Sequence, residues 1–250
     1  MPTAIEFRDV TFTLPQGRKL LDGISFAIEE GTTTAILGRS GSGKTTLLRT
    51  VNRMVEPTAG DVLVSGQSVR DSDPITLRRG IGYVIQETGL FPHLNVERNA
   101  ALVHEIEAKP RKKRNQRSYE LLHAVGLDPS TFAKRYPHQL SGGQRQRVGL
   151  ARALAGDPKI LLMDEPFGAL DPLTRAEMQD MLRTLLARLK KTVILITHDL
   201  NEALYLADRI VVLADGKLIA DLKSEEFLAS PHPEVQSYVR AFRRAEDSAQ

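Results

Sequence analysis

The chain has 250 residues, with 34 Lys and Arg against 31 Asp and Glu, and no cysteine. Without thiols neither disulfides nor thiolate metal sites can form, and a net charge of +3 is too small for the electrostatic footprint of a nucleic-acid-binding protein. The longest apolar runs, such as Ile160-Leu161-Leu162-Met163 and Ile210-Val211-Val212-Leu213, are strand-sized, far below the ~18 residues that cross a bilayer.

The first ten residues lack the charged-then-apolar pattern of a secretory leader, so the chain is expected in the cytoplasm with any membrane role peripheral. In chain order, the pattern predicts a strand at 5–12 and a second at 32–37 that feeds a helix at 44–54. Short strands follow at 61–64 and 81–85. From about residue 87 to 155 no strand is evident, and helical patterns occupy 95–107, 115–125 and 142–155. Then come a strand at 160–163, a helix at 173–189, a strand at 192–197, a helix at 200–207 and a strand at 210–214. The core strands read as nearly continuous apolar runs, as strands covered on both faces do. Strands alternating with helices imply an α/β fold with a mostly parallel sheet, into which a helical lobe is inserted. Pro231 and Pro233 break the chain before one short helix and a polar tail expected to fray.

Gly38-Arg39-Ser40-Gly41-Ser42-Gly43-Lys44-Thr45, followed by Thr46, fits G-x-x-x-x-G-K-[ST] between a predicted strand and a predicted helix. Glycines let successive backbone N–H groups turn toward one point, and the following helix aims its positive end there. Lys44 would reach the β- and γ-phosphates and Thr45 would ligate Mg²⁺; the structural alternative is a tight strand-to-helix turn. The run 160–163 ends in Asp164 and Glu165, at the strand end where α/β folds keep their sites. Asp164 would hold Mg²⁺ and Glu165 would polarise water, although one acid could instead cap a helix before Pro166. Gln86 and His198 sit at two further strand ends in the same sheet. Either could be an ordinary loop residue; in a sheet committed to a nucleotide both are placed to face the γ-phosphate. Leu140-Ser141-Gly142-Gly143-Gln144 opens another helix, with Ser141 as its N-cap. Two glycines exceed what capping needs, and suit a helix end kept bare for a second phosphate, one belonging to another copy of the chain.

With these motifs in this order, the chain resembles the ATP-binding subunits of ABC transporters over about residues 4–220: the phosphate loop at 38–45, Gln86, LSGGQ at 140–144, LLMDEP at 161–166, GALD at 168–171 and THD at 197–199. The resemblance implies a P-loop NTPase core (1–86 and 156–220) with an N-terminal antiparallel β part, an inserted helical subdomain (87–155) and a C-terminal helix and tail (221–250). It also implies a homodimer that sandwiches two ATP molecules. Each site would combine Lys44, Thr45, Gln86, Asp164, Glu165 and His198 of one chain with Ser141, Gly143 and Gln144 of the other. Glu165 would be the general base, Gln86 a further Mg²⁺ contact, His198 the γ-phosphate contact, and Asp171 a link between the sites. One position departs from the family pattern: where an aromatic residue usually stacks on adenine, this chain has Leu14. Leucine covers a ring face without the aromatic quadrupole, and Phe12 shares its strand parity, so a looser hold on adenine is implied.

The segment after Gln86, Gly89-Leu90-Phe91-Pro92-His93, reads either as a packed turn or as an apolar knob for a membrane partner. Together with VNRMVEPTAG, LRRGIGYVIQ and MDEPFGALDPLTR, it resembles the ATPases of importers for glycine betaine, choline and related osmoprotectants. The resemblance implies permease subunits docked near Leu90, Phe91 and Pro92, a substrate-binding protein acting indirectly, and a position on the cytoplasmic face of the inner membrane. Some relatives carry a C-terminal pair of regulatory domains, which this sequence is expected to lack. The basic run Arg111-Lys112-Lys113-Arg114 reads as a solvated loop between helices. Rival classes fit less well. Another transport system, such as lipid trafficking, would share the core. A DNA-repair or chromosome-organising ATPase would need long coiled coils between the phosphate loop and LSGGQ, and the interval here shows no sustained heptads.

Overall fold

The structure, a computed structural model, describes residues 2–86 and 88–247. Its elements in chain order begin with β1 (Thr3–Thr13), β2 (Lys19–Glu29), β3 (Thr33–Leu37), α1 (Lys44–Val51), β4 (Ala59–Val64), β5 (Gln67–Ser68), α2 (Pro74–Arg79) and β6 (Ile81–Val84). Next come α3 (Val96–Ala100), α4 (Leu102–Ile106), α5 (Arg111–Ala124), α6 (Pro129–Phe132), α7 (Gly142–Ala153) and β7 (Ile160–Asp164). The last are α8 (Pro172–Leu189), β8 (Thr192–Thr197), α9 (Leu200–Leu206), β9 (Arg209–Ala214), β10 (Lys217–Lys223), α10 (Ser224–Phe227) and α11 (Pro233–Asp247). The chain forms two compact units, Met1–Leu77 with Thr192–Gln250, and Arg78–Lys191.

The first unit holds an antiparallel sheet in the order β2-β1-β4-β5 and a second group of strands in which β3 runs parallel to both β8 and β9. β10 closes that group antiparallel to β9. Every residue of β3 and β8 is buried, so the unbroken apolar reading of these strands holds. β2 and β10 were not legible as strands. In β2 the Asp22-Gly23 pair imitates a turn; Gly23 instead takes φ +65°, and the pairing with β1 shifts register nearby while Leu21, Ile24 and Ile28 stay buried. The C-terminal helix is longer than the short one expected: α11 runs 15 residues. Its Val235 and Val239 join Ala35, Leu37, Leu200, Ala203 and Phe227 in one apolar cluster. Residues 248–250 of the expected polar tail lie outside the described residues.

The second unit pairs β6 and β7 in parallel and is otherwise helical. No strand interrupts the described residues between β6 and β7, as expected. The single helix predicted at 95–107 is two, α3 and α4, broken at Ala101, whose φ −97° and ψ 13° leave the helical region. Asn95 caps α3 by accepting the Arg98 N–H at 3.0 Å. The reading of residues 111–114 as a loop is corrected: they form the first turn of α5. Pro110 sets the start, and long unbranched Arg and Lys side chains lose little freedom in a helix, which outweighs their poor match to its positive end. Arg114 reaches Glu105 at 3.1 Å, and Arg117 ties α5 to the end of α7 through the Leu154 and Ala155 carbonyls.

Candidate functional site

In the first unit β3 delivers the chain into the loop 38–43 and α1 leaves it. Gly43 has φ +100°, and a Cβ there would sit 2.6 Å from the Leu20 carbonyl oxygen, so only glycine fits. At Gly38 a Cβ would lie 2.5 Å from both the Leu213 carbonyl oxygen and Ser42 Oγ. The loop is backed by β2 and by the turn between β9 and β10: the Gly216 N–H donates to the Ser42 carbonyl at 3.3 Å, and the Asp22 N–H donates to Gly216 at 2.8 Å. Lys44 is only 5% exposed, and its ammonium donates to the Gly38 and Arg39 carbonyls at 2.8 and 3.0 Å. The lysine thus ties the start of α1 back to its own loop, on which Arg39, Ser40 and Gly41 are exposed. α1 starts without a side-chain cap and without an acid in its first turn. An N-terminus with neither a capping side chain nor a first-turn acid is the disposition of a phosphate site. Ser42 Oγ is buried and has no hydrogen-bond partner, so a phosphate oxygen would supply what it lacks. Thr45 and Thr46 follow, half-buried, in the first turn.

Two more expected residues lie in this unit. Leu14 is half-buried in the turn from β1 to β2, where its N–H donates to Arg18 and its carbonyl accepts from Gly17. His198 is exposed at the turn from β8 to α9, and Asp199 caps α9 by accepting the Asn201 N–H at 2.8 Å.

In the second unit Gln86 is exposed just after β6. It lines a cleft of about 250 Å³ together with Thr88, Gly142, Gln146, Pro166 and Leu170. The cleft gathers the ends of β6 and β7 and the start of α7. Ser141 caps α7 as expected, accepting the Gln144 N–H at 3.2 Å while the Gln144 side chain accepts the Ser141 N–H at 3.0 Å, a reciprocal box. The glycines after it part company. At Gly143 a Cβ would lie 2.4 Å from Thr174 Cγ2, so packing on α8 already demands glycine, whereas Gly142 faces no such obstacle. β7 buries Asp164 at 4% exposure, with the Tyr83 hydroxyl 3.4 Å from its Oδ2. Glu165 follows with φ +45°, a left-handed backbone that costs a non-glycine residue roughly 1–2 kcal/mol and redirects the chain at the strand end. Asp171 caps α8, accepting the Thr174 N–H at 3.1 Å, and its hydrogen bonds with Thr174 hold its carboxyl below the usual range.

Side chains from α3 and α7 hold the segment 88–95 in place. Phe91 is exposed, as an apolar knob requires, and so is Pro92, but Leu90 is half-buried. Asn99, fully buried on α3, accepts the Phe91 N–H at 2.8 Å and donates to the Phe91, Leu94 and Asn95 carbonyls. Arg152 on α7 donates to the Thr88 and Gly89 carbonyls at 2.8 and 2.7 Å, and burial pushes its guanidinium below the usual range. Asn99 and Arg152 escaped the sequence reading because each acts on backbone carbonyls, which no residue spacing advertises.

These features define an ATP-binding cassette, and the chain matches the ABC transporter family over residues 21–168; it belongs to that family. Among its relatives, the choline transport ATP-binding protein OpuBA of Bacillus subtilis is 42% identical over 98% of this chain and 64% of its own length. The osmoprotectant import ATP-binding protein OsmV of Salmonella typhimurium is 45% identical over 90% of this chain and 59% of its own. The glycine betaine uptake system ATP-binding protein YehX of Escherichia coli is 42% identical over 95% and 76%. The chain thus spans about three fifths of the length of the first two of these relatives. A dimeric post-hydrolysis structure of the ATP-binding cassette MJ0796, bound to ADP and Pi, superposes with a TM-score of 0.79 at 35% identity, covering 88% of this chain and 98% of that one. The fold is therefore that of the ABC ATPase core.

Proposed function

We propose that this chain is the ATP-hydrolysing subunit of an ABC importer for quaternary-amine osmoprotectants of the glycine betaine and choline kind. The observation that carries the ATPase reading is the phosphate loop itself: a buried Lys44 held by the loop's own carbonyls beneath an uncapped helix start. The solute class rests on the relatives, whose names refer to choline, osmoprotectant and glycine betaine transport.

Gly38 to Thr46 would cradle the phosphates, with Leu14 against the adenine. Thr45 hydroxyl, Gln86 amide oxygen and Asp164 carboxylate are hard oxygen donors of the type Mg²⁺ takes, one or two protein groups being enough beside phosphates and water. Held by these three groups, the ion would supply positive charge that offsets the charge of the phosphates. Glu165 would accept a proton from water as its oxygen bonds to the γ-phosphorus and the β-phosphate oxygen leaves with ADP. His198 would hold a γ-oxygen. Ser141, Gly142, Gly143 and Gln144 would meet the γ-phosphate bound by a second copy, with Asp171 at the contact between copies. The working unit would be a homodimer.

No helix among the described residues is long and apolar enough to cross a membrane. Permease subunits would carry the solute and dock on the segment of Leu90, Phe91 and Pro92 at the cytoplasmic face, with a substrate-binding protein acting through them. The test is uptake by vesicles that contain the chain with its permease and binding protein. ATP inside should drive accumulation of labelled glycine betaine or choline. ATP hydrolysis without movement of any quaternary amine would overturn the solute class, and absence of hydrolysis would overturn the ATPase reading.

A further inference from the structure

Glu202, a buried acid on α9, takes no part in the phosphate chemistry above. It is 5% exposed, and a carboxylate so placed is costly unless it is hydrogen-bonded. The Thr197 hydroxyl donates to its Oε2 at 2.5 Å. Thr197 is the last residue of β8 and 1% exposed. Its single hydroxyl proton is thereby committed, and its oxygen accepts the Asp199 N–H at 3.0 Å. The chain of bonds runs from the Asp199 amide through Thr197 Oγ1 to Glu202, and His198 lies between its two ends. α9 is itself fixed, since Leu200 and Ala203 pack into the cluster that includes Ala35 and Leu37 of β3.

We infer that Glu202 is a positioning residue for ATP hydrolysis: through Thr197 it locks the 197–199 turn and so sets the direction from which His198 meets the γ-phosphate. This rests on the role of His198 in the proposed function. Charge is not what the role requires. It requires an acceptor at 202 and a hydroxyl at 197, because one proton donated and one accepted define the turn.

The experiment compares Thr197→Val, Thr197→Ser, Glu202→Gln and His198→Ala in the full chain, with steady-state kinetics, ATP affinity and melting temperature measured for each. Thr197→Val, isosteric and still apolar-compatible, should lower kcat about tenfold while the KM for ATP stays within about twofold, the pattern of an interaction realised in the transition state. Thr197→Ser should restore most of the rate, and Glu202→Gln, which keeps an acceptor, should lose less than Thr197→Val. In the His198→Ala background, Thr197→Val should cost nothing further, because the turn then has nothing to aim. A Thr197→Val chain with a lower melting temperature but an unchanged kcat, or an additive loss in the His198→Ala background, would overturn the brace. If His198→Ala itself hydrolyses ATP at the normal rate, the fault lies in the γ-phosphate role of His198, and the proposal falls with it.

Discussion

Changing Glu165 to Gln is expected to leave ATP binding intact and to lower kcat by about 10²–10⁴, the usual contribution of a positioned general base. The substitution keeps shape and one acceptor oxygen but removes the group that can take a proton from water. Glu165 sits directly after the buried β7 with left-handed backbone, so the strand end fixes its Cα position. Lys44 and the α1 terminus belong to the other compact unit, and their hold on phosphate should be unaffected. The variant should therefore accumulate as an ATP-bound dimer, visible as an ATP-dependent shift in size-exclusion chromatography together with near-absent phosphate release. Normal turnover by this variant would remove Glu165 from its assigned role.

The second large effect is expected from Ser141→Arg. Ser141 is exposed and caps α7, and the substitution both removes that cap, at a cost of roughly 0.5–2 kcal/mol, and places a long cation over the helix start. Ser141→Ala, which loses the hydroxyl and its cap but adds no cation, separates the loss of the side chain from the obstruction. Under the shared-site reading, the Arg variant should bind ATP through its own phosphate loop and lose about 10²–10³ in turnover, the range seen when a transition-state donor is removed. Lys44→Ala should be inactive for the opposite reason. Mixing the two inactive chains should restore activity, to at most about one quarter of normal by random pairing in a twofold dimer. Two intact halves then meet in one site of each mixed pair. Absence of any recovery would count against the exchange of halves.

Much of this was legible in the sequence for a physical reason. The phosphate loop is local: strand, glycines, lysine and helix are contiguous, so 38–46 could be read without knowing the rest of the fold. The same holds for the Ser141 cap and for Asp164 at the end of an unbroken apolar run. The losses are of another kind. β2 was hidden because its Asp22-Gly23 pair copies a turn while the partner strand β1 supplies the evidence for a sheet. The start of α5 was hidden because four cations at a helix N-terminus contradict the dipole, and one of them, Arg114, finds its counter-charge in Glu105 of another helix. Gly143 was assigned wholly to the second phosphate, whereas Thr174, thirty-one residues away, also forbids a side chain there. Arg152, Asn99 and Glu202 act on carbonyls or through a hydroxyl, so their partners are defined by tertiary structure alone.

The central claim is that each catalytic pocket needs residues from two copies of the chain. It is tested most directly by ATP turnover per chain as a function of protein concentration, with molecular mass followed by light scattering. Turnover per chain should rise with concentration and level off as the ATP-bound dimer fills. A chain that stays monomeric and hydrolyses ATP at full rate, independent of dilution, would contradict the account.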